Sequence, residues 1–233
     1  MCIRDRFIVD LHVHTVKGSS DSSLLPEQLM IEAKRIGLNA AHLSEHGGGW
    51  SEPMVEENFQ NSPLSIITGL EVDTDMGHII AIGMDAHAPG THNPYVLREA
   101  VDKVGGVLIS AHPMRNFFNK PPYNRNLLFQ SWDHFPETAE EAATHELFSI
   151  VDFIEVTNGA NTLEENKFTL EIAKILNKPG TGGSDAHSIQ GIGKSCTVFE
   201  NPVHSKSDLI KELKNGNFYP AEGLNKLDLH EFK

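Results

Sequence analysis

Cysteines and long apolar runs are scarce in this sequence. It contains two cysteines, Cys2 and Cys196, among 233 residues, which excludes a small scaffold held together by disulfides. No apolar run approaches the roughly 18 residues that a membrane-spanning helix needs. The opening residues also lack the apolar core of a signal peptide. We therefore expect a cytoplasmic protein that does not insert into a membrane.

Positively charged residues are scarce as well. Nineteen Lys and Arg residues stand against 32 Asp and Glu residues, and the formal net charge is −13. Such a surface repels polyanions, so long nucleic acid is disfavoured as a partner. A small molecule carrying one phosphate can still bind in a local basic pocket, and we expect a small-molecule substrate. The composition gives no indication of the oligomeric state.

The length and composition indicate one domain. With 39% hydrophobic and 22% charged residues, the chain can bury a normal core, and 233 residues suit a single large α/β domain. The sequence contains no internal repeat, no low-complexity tract and no clear linker. We assign residues 7–233 to this domain and give the leader, residues 1–6, no role.

Short apolar runs alternate with helical stretches, which is typical of strand–helix units around a largely parallel sheet. The predicted strands are residues 7–11, 39–44, 65–70, 78–82, 107–110, 151–156, 181–183 and 194–199. The predicted helices are residues 26–36, 94–104, 138–149, 163–176 and 207–215. Residues 116–135 are rich in Asn, Pro and aromatics and fit neither class. Their length predicts an inserted active-site loop.

Histidine is unusually abundant, with 13 residues against 3 tyrosines and 2 tryptophans. Histidine is the commonest metal ligand in proteins and titrates near neutral pH. Several histidines and carboxylates follow predicted strands at their carboxyl ends, where functional sites gather in parallel α/β folds. These residues are His12, His14, His46, Glu71, His112, Asp185 and His187.

The first strand and the last glycine-rich strand each precede a pair of such residues. His12 and His14, in VDLHVHT, are two residues apart and so project to one face of a strand, and Asp185 and His187 repeat this spacing in GGSDAHS. Because a barrel makes its first and last strands neighbours, closure would bring the two pairs together. Asp21, in the turn after the first strand, is close enough in sequence to join them.

The predicted ligands are imidazoles and carboxylates without a thiolate, which suits Zn²⁺, Mn²⁺ or Fe²⁺. Their number exceeds the needs of one ion and indicates two or three divalent metal ions. Glu71 is suited to bridge two of them, since each oxygen of its carboxylate can bind one ion. Paired ions lower the pKa of bound water and hold both oxygens of an in-line displacement.

Taken together, these motifs resemble the PHP (polymerase and histidinol phosphatase) family over about residues 9–197. The motifs are DLHVHT, SDSS, SEHGGG, GLEVDTDMGHIIAIG, SAHPMR, IEVTNGAN and GTGGSDAHS. The resemblance implies an α/β fold, a distorted (β/α)7 TIM-like barrel, with a trinuclear metal site. The metal ligands that it implies are His12, His14, Asp21, His46, Glu71, His78, His112, Asp185 and His187.

The resemblance also implies hydrolysis of phosphoesters by a metal-bound hydroxide. We therefore expect a metal-dependent phosphoesterase that acts on a small phosphorylated molecule, with Glu71, His112, Asp185 and Arg115 as catalytic residues. Arg115 follows His112 by three residues, and its guanidinium could hold phosphoryl oxygens. Some family members cleave carbamates or other esters, so a carbamate, ester or amide hydrolase is the alternative. A nucleotide phosphatase or exonuclease and a non-catalytic metal-binding module are further hypotheses.

The sequence departs from the family pattern at Glu45, in SEH, where the family usually has Asp. If this carboxylate contacts the ring of His46, its longer side chain could shift that ring. Glu155 and Asn158 end a predicted strand and could line the site. Lys194 is a second candidate for holding an anion.

The remaining histidines are not predicted ligands. We expect His42 to pack in or on the sheet. The others are predicted on the surface or in loops, and among them His134 lies in the inserted loop, where it could touch substrate. These surface and loop histidines are His87, His92, His134, His145, His204 and His230.

Overall fold

A computed structural model describes residues 6–60 and 62–233. Its strands are β1 (Phe7–Val13), β2 (Ala40–Glu45), β3 (Ser65–Thr74), β4 (Gly77–Ile82), β5 (Val107–Ser110), β6 (Phe153–Asn158), β7 (Gly180–Gly183), β8 (Ser195–Phe199), β9 (Phe218–Glu222) and β10 (His230–Glu231). Its helices are α1 (Pro26–Ile36), α2 (Glu52–Asn58), α3 (Pro94–Lys103), α4 (Ala139–Ala142), α5 (Leu147–Ile150), α6 (Leu163–Ile175) and α7 (Lys206–Asn215). Apart from Arg6, the predicted leader lies outside the described residues.

The ten described strands form one mixed sheet in the order β10-β9-β8-β1-β2-β3-β4-β5-β6-β7. Strands β1, β2 and β3 are parallel, as are β5, β6 and β7. Strand β4 runs antiparallel between β3 and β5, and β8 runs antiparallel beside β1. The predicted α/β class is confirmed. The (β/α)7 count remains a prediction, because β3 and β4 form a direct hairpin and β8 to β10 extend the sheet beyond β1.

The sheet curls until its last parallel strand approaches its first. Just beyond β7, Ala186 forms a parallel bridge with Val13 at the end of β1. The backbone N–H of His14 donates to the carbonyl of Ala186 at 3.0 Å. On the neighbouring strand β8, the hydroxyl of Thr197 is 2.9 Å from both the N and the O of Gly182. The carboxyl ends of β1 and β7 therefore meet, as the two-pair pattern predicted.

Strand β1 is buried from Ile8 to its end, as expected for a strand covered on both faces. This burial forces Asp10 to find partners inside the protein. Its carboxylate accepts backbone N–H groups from Ser184 at 2.8 Å, Gly193 at 3.2 Å and His12 at 3.3 Å. Burial nevertheless raises the pKa of Asp10 to about 6. These bonds tie β1 to the segment between β7 and β8, which carries Asp185 and His187.

The helices follow local sequence signals where those signals are strong. Helix α1 begins at Pro26, and Gly37 ends it with a φ of 78°, a left-handed conformation that glycine adopts without strain. Helix α6 begins after Thr162, whose hydroxyl and Glu165 form a capping box. Among the described residues, no helix combines the length and the apolar character that a membrane crossing requires.

The prediction of one continuous helix over residues 138–149 is wrong, because the structure has two short helices, α4 and α5, in its place. Between them, Nδ1 of His145 accepts the backbone N–H of Leu147 at 3.2 Å. The ring of His145 is buried and stacks on Trp132 with 5.6 Å between centroids. His145 was predicted on the surface. Its packing against the aromatic loop explains both its burial and the break between α4 and α5.

His42 is buried in β2, within the sheet, as predicted. Its Nδ1 lies 3.2 Å from the carbonyl oxygen of Leu11 and 2.9 Å from the hydroxyl of Ser44. Burial lowers the pKa of His42 to about 3, so the ring is neutral at physiological pH. Unfolding exposes the ring and returns its pKa to the usual value near 6.5.

This pKa difference predicts acid sensitivity. Between about pH 6 and pH 4 the unfolded chain binds one more proton than the folded chain at this position, so the contribution of His42 to stability falls as pH falls, by about 1.4 kcal/mol per pH unit, while the raised pKa of Asp10 contributes with the opposite sign. We expect His42→Asn, which keeps a donor near Nδ1, to remove this contribution in metal-free protein. Urea unfolding at several pH values measures it. His92→Asn, at an exposed histidine, should keep the wild-type slope; equal slopes in His42→Asn and wild type would refute the assignment.

Candidate metal centre

Glu71, on β3, lies between two sets of imidazoles. Its Oε2 is 3.1 Å from Nε2 of His12 and 3.1 Å from Nε2 of His14. Its Oε1 is 2.9 Å from Nδ1 of His78 and 2.8 Å from Nε2 of His112. The side chain is only 1% exposed, a depth at which an unpaired carboxylate would be costly. The two oxygens therefore serve two different groups of nitrogens, which is the geometry expected of a bridging ligand.

Asp185 faces the same nitrogens from the β7 side. Its Oδ1 lies 3.5 Å from Nε2 of His12 and 3.2 Å from Nε2 of His14. Strand geometry does not orient it, contrary to our expectation, since β7 ends at Gly183 and Asp185 has a φ of 52°. The left-handed backbone conformation at Asp185 points its carboxylate inward instead. The ring of His187 lies beyond this turn and stacks on His14 with 4.3 Å between centroids.

The outer part of the cluster is closer to solvent. Asp21 is 56% exposed at its side chain, and its Oδ2 lies 3.2 Å from Nε2 of His187 and 3.6 Å from Nε2 of His46. His46 Nε2 is 3.7 Å from Oε2 of Glu71. These contacts join the exposed residues to the buried carboxylate.

Three overlapping groups of side chains offer ligand atoms that lie within 4.8 Å of one another. The groups are His12, His14, Glu71 and Asp185; Glu71, His78 and His112; and His14, His46 and His187. Because Glu71 and His14 each belong to two groups, the three lie side by side. All the predicted ligands gather here, with Asp21 joined through His46 and His187.

Unpartnered polar atoms show that this cluster fits divalent cations. Nε2 of His12, Nε2 of His14, Nδ1 of His46 and Oδ1 of Asp185 are buried without a hydrogen-bond partner among the described residues. Unsatisfied buried polar atoms are costly. Imidazole nitrogens and carboxylate oxygens are, however, the donors that zinc and similar ions bind. A buried cluster that could hold metal ions is therefore present.

The electrostatics of the cluster favour bound cations. Burial alone would raise the pKa of Glu71, but His12, His112 and His14 outweigh it and hold that pKa well below its usual value. Burial would lower the pKa of His14, yet Asp185 and Glu71 raise it to about 9. Negative charge thus dominates around these nitrogens. Metal ions and protons compete for it, so metal binding should release protons.

Glu155 holds the inner histidines in place. One carboxylate oxygen lies 3.0 Å from Nδ1 of His12, and the other accepts the backbone N–H of His112 at 2.8 Å and the amide of Asn158 at 2.9 Å. With Nδ1 engaged, His12 presents Nε2 to the cluster. Glu155 and Asn158 line the site, and they support the predicted ligands from behind.

Glu45 acts on a different histidine from the one that the sequence suggested. Its carboxylate accepts the hydroxyl of Ser19 at 2.6 Å and the indole N–H of Trp50 at 2.8 Å. Ser19 Oγ is 3.0 Å from Nδ1 of His14 and accepts the backbone N–H of His46 at 3.1 Å. Glu45 therefore orients His14 through Ser19. Apart from their proximity to the motifs, Ser19 and Trp50 could not be recognised as site residues from the sequence.

We expect Ser19→Ala to weaken metal binding. The substitution removes the partner of Nδ1 and frees the His14 ring to rotate, and such supporting contacts are worth about 10- to 100-fold in metal affinity. Competition with a chelator measures the affinity. Ser20→Ala, at the exposed neighbour, is the matched control and should bind metal as the wild type does. Equal affinity in Ser19→Ala and Ser20→Ala would contradict the role of Ser19.

Arg115 is fixed at the rim of the cluster. Its guanidinium donates to Oδ2 of Asp185 at 2.6 Å, to Asn158 at 2.9 Å and to Asn161 at 3.1 Å. The side chain is 31% exposed, so one side of the cation remains accessible. Burial lowers the pKa of His112, and the charge of Arg115 lowers it further. The predicted anion-binding position is thus adjacent to the predicted ligands.

Two other residues that were predicted to contact an anion or substrate, Lys194 and His134, lie away from the cluster. Lys194 is exposed and lines a separate cavity with Glu222 and Asp228. His134 is exposed and pairs with Glu141 at 2.8 Å instead of facing the cluster. The other histidines predicted on the surface are exposed, namely His87, His92, His204 and His230.

Comparison with known proteins agrees with the motifs and the fold. A family profile described as PHP-associated matches residues 164–218, which include the turn bearing Asp185 and His187. The profile covers 55 of the 233 residues and agrees with the resemblance that the motifs show. The search of curated proteins returned no match.

Solved structures resemble this chain over most of its length. PsfC from Pseudomonas syringae PB-5123 is 20% identical, with a TM-score of 0.63 over 96% of this chain and 95% of that one. A Bifidobacterium adolescentis protein assigned as a metal-dependent phosphoesterase is 17% identical, with a TM-score of 0.52 over 89% and 96%. An amidohydrolase from Chromobacterium violaceum, with bound sulfate and no metal, is 17% identical, with a TM-score of 0.51 over 77% and 87%. At these identities the likeness shows a shared fold.

Proposed function

We propose that this protein is a metal-dependent phosphoesterase of the PHP family that hydrolyses a small phosphorylated molecule at a site of two or three divalent ions. The observation that carries the proposal is the position of Glu71, whose two oxygens each face a separate set of imidazoles within 3.1 Å. A carboxylate placed in this way can bridge two ions. Arg115 adds a fixed positive charge beside them.

The predicted ligands would hold Zn²⁺, Mn²⁺ or Fe²⁺, since nitrogen and carboxylate donors suit these ions. When bound, the ions would act as Lewis acids that activate water and neutralise phosphoryl oxygens. The chain's own residues would orient the ester. In particular, Nε and Nη2 of Arg115 are engaged by Asn161, Asn158 and Asp185, so Nη1 would donate to a phosphoryl oxygen. The supports of that guanidinium, Asn158 and Asn161, keep it from turning toward solvent.

His112 and His78 lie on the side of Glu71 that faces away from Asp21. Burial and, to a smaller extent, the charge of Arg115 lower the pKa of His112, so this ring is neutral near pH 7. A neutral imidazole can bind a metal through its free nitrogen. We therefore give His112 a ligand role and reserve the anion contact for Arg115.

The comparisons support this proposal in two ways. One solved structure with the same fold is assigned as a metal-dependent phosphoesterase. Another, an amidohydrolase, contains sulfate, an anion with the tetrahedral shape of phosphate. The second structure also favours the alternative, in which the same metal centre hydrolyses an amide, carbamate or carboxylic ester. Attack on carbon would then replace attack on phosphorus.

A substrate panel tests the proposal. Purified protein reloaded with Mn²⁺ or Zn²⁺ would be assayed with phosphomonoesters, phosphodiesters, nucleotides, carbamates, carboxylic esters and amides. We expect turnover of phosphomonoesters and its loss in His14→Ala and Asp185→Ala. Arg115→Gln should lower kcat/KM for phosphate esters by about 10- to 100-fold, the size of one lost charge-assisted contact. Its bound metal content should not change.

The remaining outcomes identify the other hypotheses. Turnover confined to carbamates, carboxylic esters or amides would replace the phosphoesterase with the second candidate. Preference for nucleotides or single-stranded DNA would indicate the nucleotide phosphatase or exonuclease. Full metal occupancy without hydrolysis of any compound would favour the non-catalytic module.

A further inference from the structure

A cavity of about 190 Å³ adjoins the inner side of the candidate metal centre. His78 and His112 form the wall that it shares with the cluster, and Arg115 lies at its edge. The opposite wall consists of residues 125–128 of the inserted loop, with Leu127 and Leu128 lining the cavity. A molecule bound at the metals by one end would therefore extend into this space.

The loop wall is held in place by one buried side chain. Asn126, 2% exposed, donates its amide N–H groups to the carbonyls of Pro113 at 2.7 Å and Arg115 at 3.0 Å. Its side-chain oxygen accepts the backbone N–H groups of Leu128 at 3.1 Å and Phe129 at 3.2 Å. The first two bonds fasten the loop to the segment that follows His112, and the other two fix the path of the loop itself. The cavity is therefore built into the fold.

The lining of the cavity is mainly apolar. Met76, Leu127, Leu128 and Leu147 contribute aliphatic side chains. Such walls favour an apolar group, because each buried CH₂ group contributes about 0.8 kcal/mol to binding.

Polar side chains also line the cavity, among them Arg115, Asn116 and Arg125. Ser110 lies in the wall as well, but its hydroxyl is fully buried and does not face the open space.

We propose that this cavity receives the alcohol portion of the phosphate monoester, and that the alcohol is compact and mainly apolar, with one ring or a short branched chain. The inference rests on the proposed phosphoesterase function. The volume of about 190 Å³ lies below the range of about 300–1,000 Å³ that is usual for drug-sized ligands, so a nucleoside exceeds it.

This arrangement separates the two products of hydrolysis. A bond forms between the oxygen of water and phosphorus, and the bond from phosphorus to the alcohol oxygen breaks. The alcohol oxygen keeps the electron pair and takes up the proton that the attacking water loses. Phosphate then remains beside Arg115, and the alcohol remains in the cavity between His112 and Leu127.

The test compares benzyl phosphate, whose ring fills the cavity, with methyl phosphate, whose alcohol does not. We expect metal-loaded wild-type protein to favour benzyl phosphate at least about tenfold in kcat/KM, the discrimination that an apolar pocket provides. Leu127→Asp should lower that ratio by about tenfold, because it places a carboxylate in the apolar wall. Leu127 is 43% exposed, and thermal unfolding would check that the variant is folded. Tyr123→Asp, in the same loop at a 73% exposed position outside the cavity, is the matched control.

A second measurement tests binding in the cavity independently of phosphoester hydrolysis. Saturation-transfer NMR would detect benzyl alcohol bound to the metal-loaded protein, and the signal should disappear in Leu127→Asp and persist in Tyr123→Asp. Phosphomonoester turnover with equal kcat/KM for both esters, or an unchanged ratio in Leu127→Asp, would overturn the cavity proposal alone. If neither ester is hydrolysed, the phosphoesterase function fails for this class, and saturation transfer decides whether the cavity binds the alcohol. No transfer to wild-type protein would overturn the cavity proposal.

Discussion

Glu71→Gln is expected to lower kcat/KM at least about 1,000-fold, which corresponds to about 4 kcal/mol of transition-state stabilisation. Glutamine has nearly the same size, so the packing around β3 should be kept. It lacks the negative charge, however, and its amide group offers only one oxygen to the imidazoles. The two groups of nitrogens would then no longer share a bridging carboxylate, and at least one ion should be lost.

Metal analysis by mass spectrometry and steady-state kinetics on the same preparation would measure both effects. Glu99→Gln, at an exposed position on α3, removes the same charge far from the cluster and should retain metal content and activity. Retention of all metal ions by Glu71→Gln would show that this residue is not a bridging ligand. Unchanged hydrolysis would place the chemistry elsewhere.

Phe129→Ala is expected to lower the free energy of unfolding by about 3–5 kcal/mol, the usual cost of truncating a buried aromatic side chain. Phe129 lies in the inserted loop, yet it is 1% exposed and contacts Phe117, Trp132 and His145 edge-on. For a chain of this size the melting temperature should fall by roughly 6–20 °C.

Thermal and chemical unfolding of metal-free protein would measure this loss without a contribution from metal binding. Phe118→Ala, at a position 40% exposed in the same loop, is the matched control and should cost about 1 kcal/mol. If Phe129→Ala and Phe118→Ala were equally stable, the loop would not belong to the core. The expected difference would show that the wall of the cavity is part of the folded domain.

The sequence predicted which side chains gather at the candidate metal centre, because strands carry several of them toward one edge of the sheet. His12 lies near the end of β1, His46 follows β2 and Glu71 lies within β3, and the curled sheet brings them together. The strand at residues 107–110 and the helix at residues 26–36 were predicted with the bounds that the structure has. Strong local signals, an apolar run in one case and Pro26 with Gly37 in the other, explain this success.

Contacts between distant segments could not be predicted from local patterns. The link from Glu45 through Ser19 to His14 depends on how the first and second strand ends pack, and neither spacing nor periodicity reports it. The inward turn at Asp185 depends on a left-handed backbone conformation that its neighbours hold. The position of His145 depends on the aromatic side chains of a loop that has no regular period.

Strand β9 was missed for a related reason. Residues 218–222 include a proline and a glutamate, which weaken a strand pattern. The strand forms because β8 offers it an antiparallel partner, with Val198 opposite Tyr219. Tertiary pairing thus outweighed a local preference against the strand.

The bridge between Val13 and Ala186 has a consequence for the order of events during synthesis. Ligands near the start of the chain meet ligands that the ribosome adds much later, so two of the three ligand groups stay incomplete until His187 has emerged. Ions bound there would close a very long loop of polypeptide, and closing long loops restricts the unfolded chain most. Metal binding should therefore be a late step that joins β1 to the segment after β7 and slows their separation.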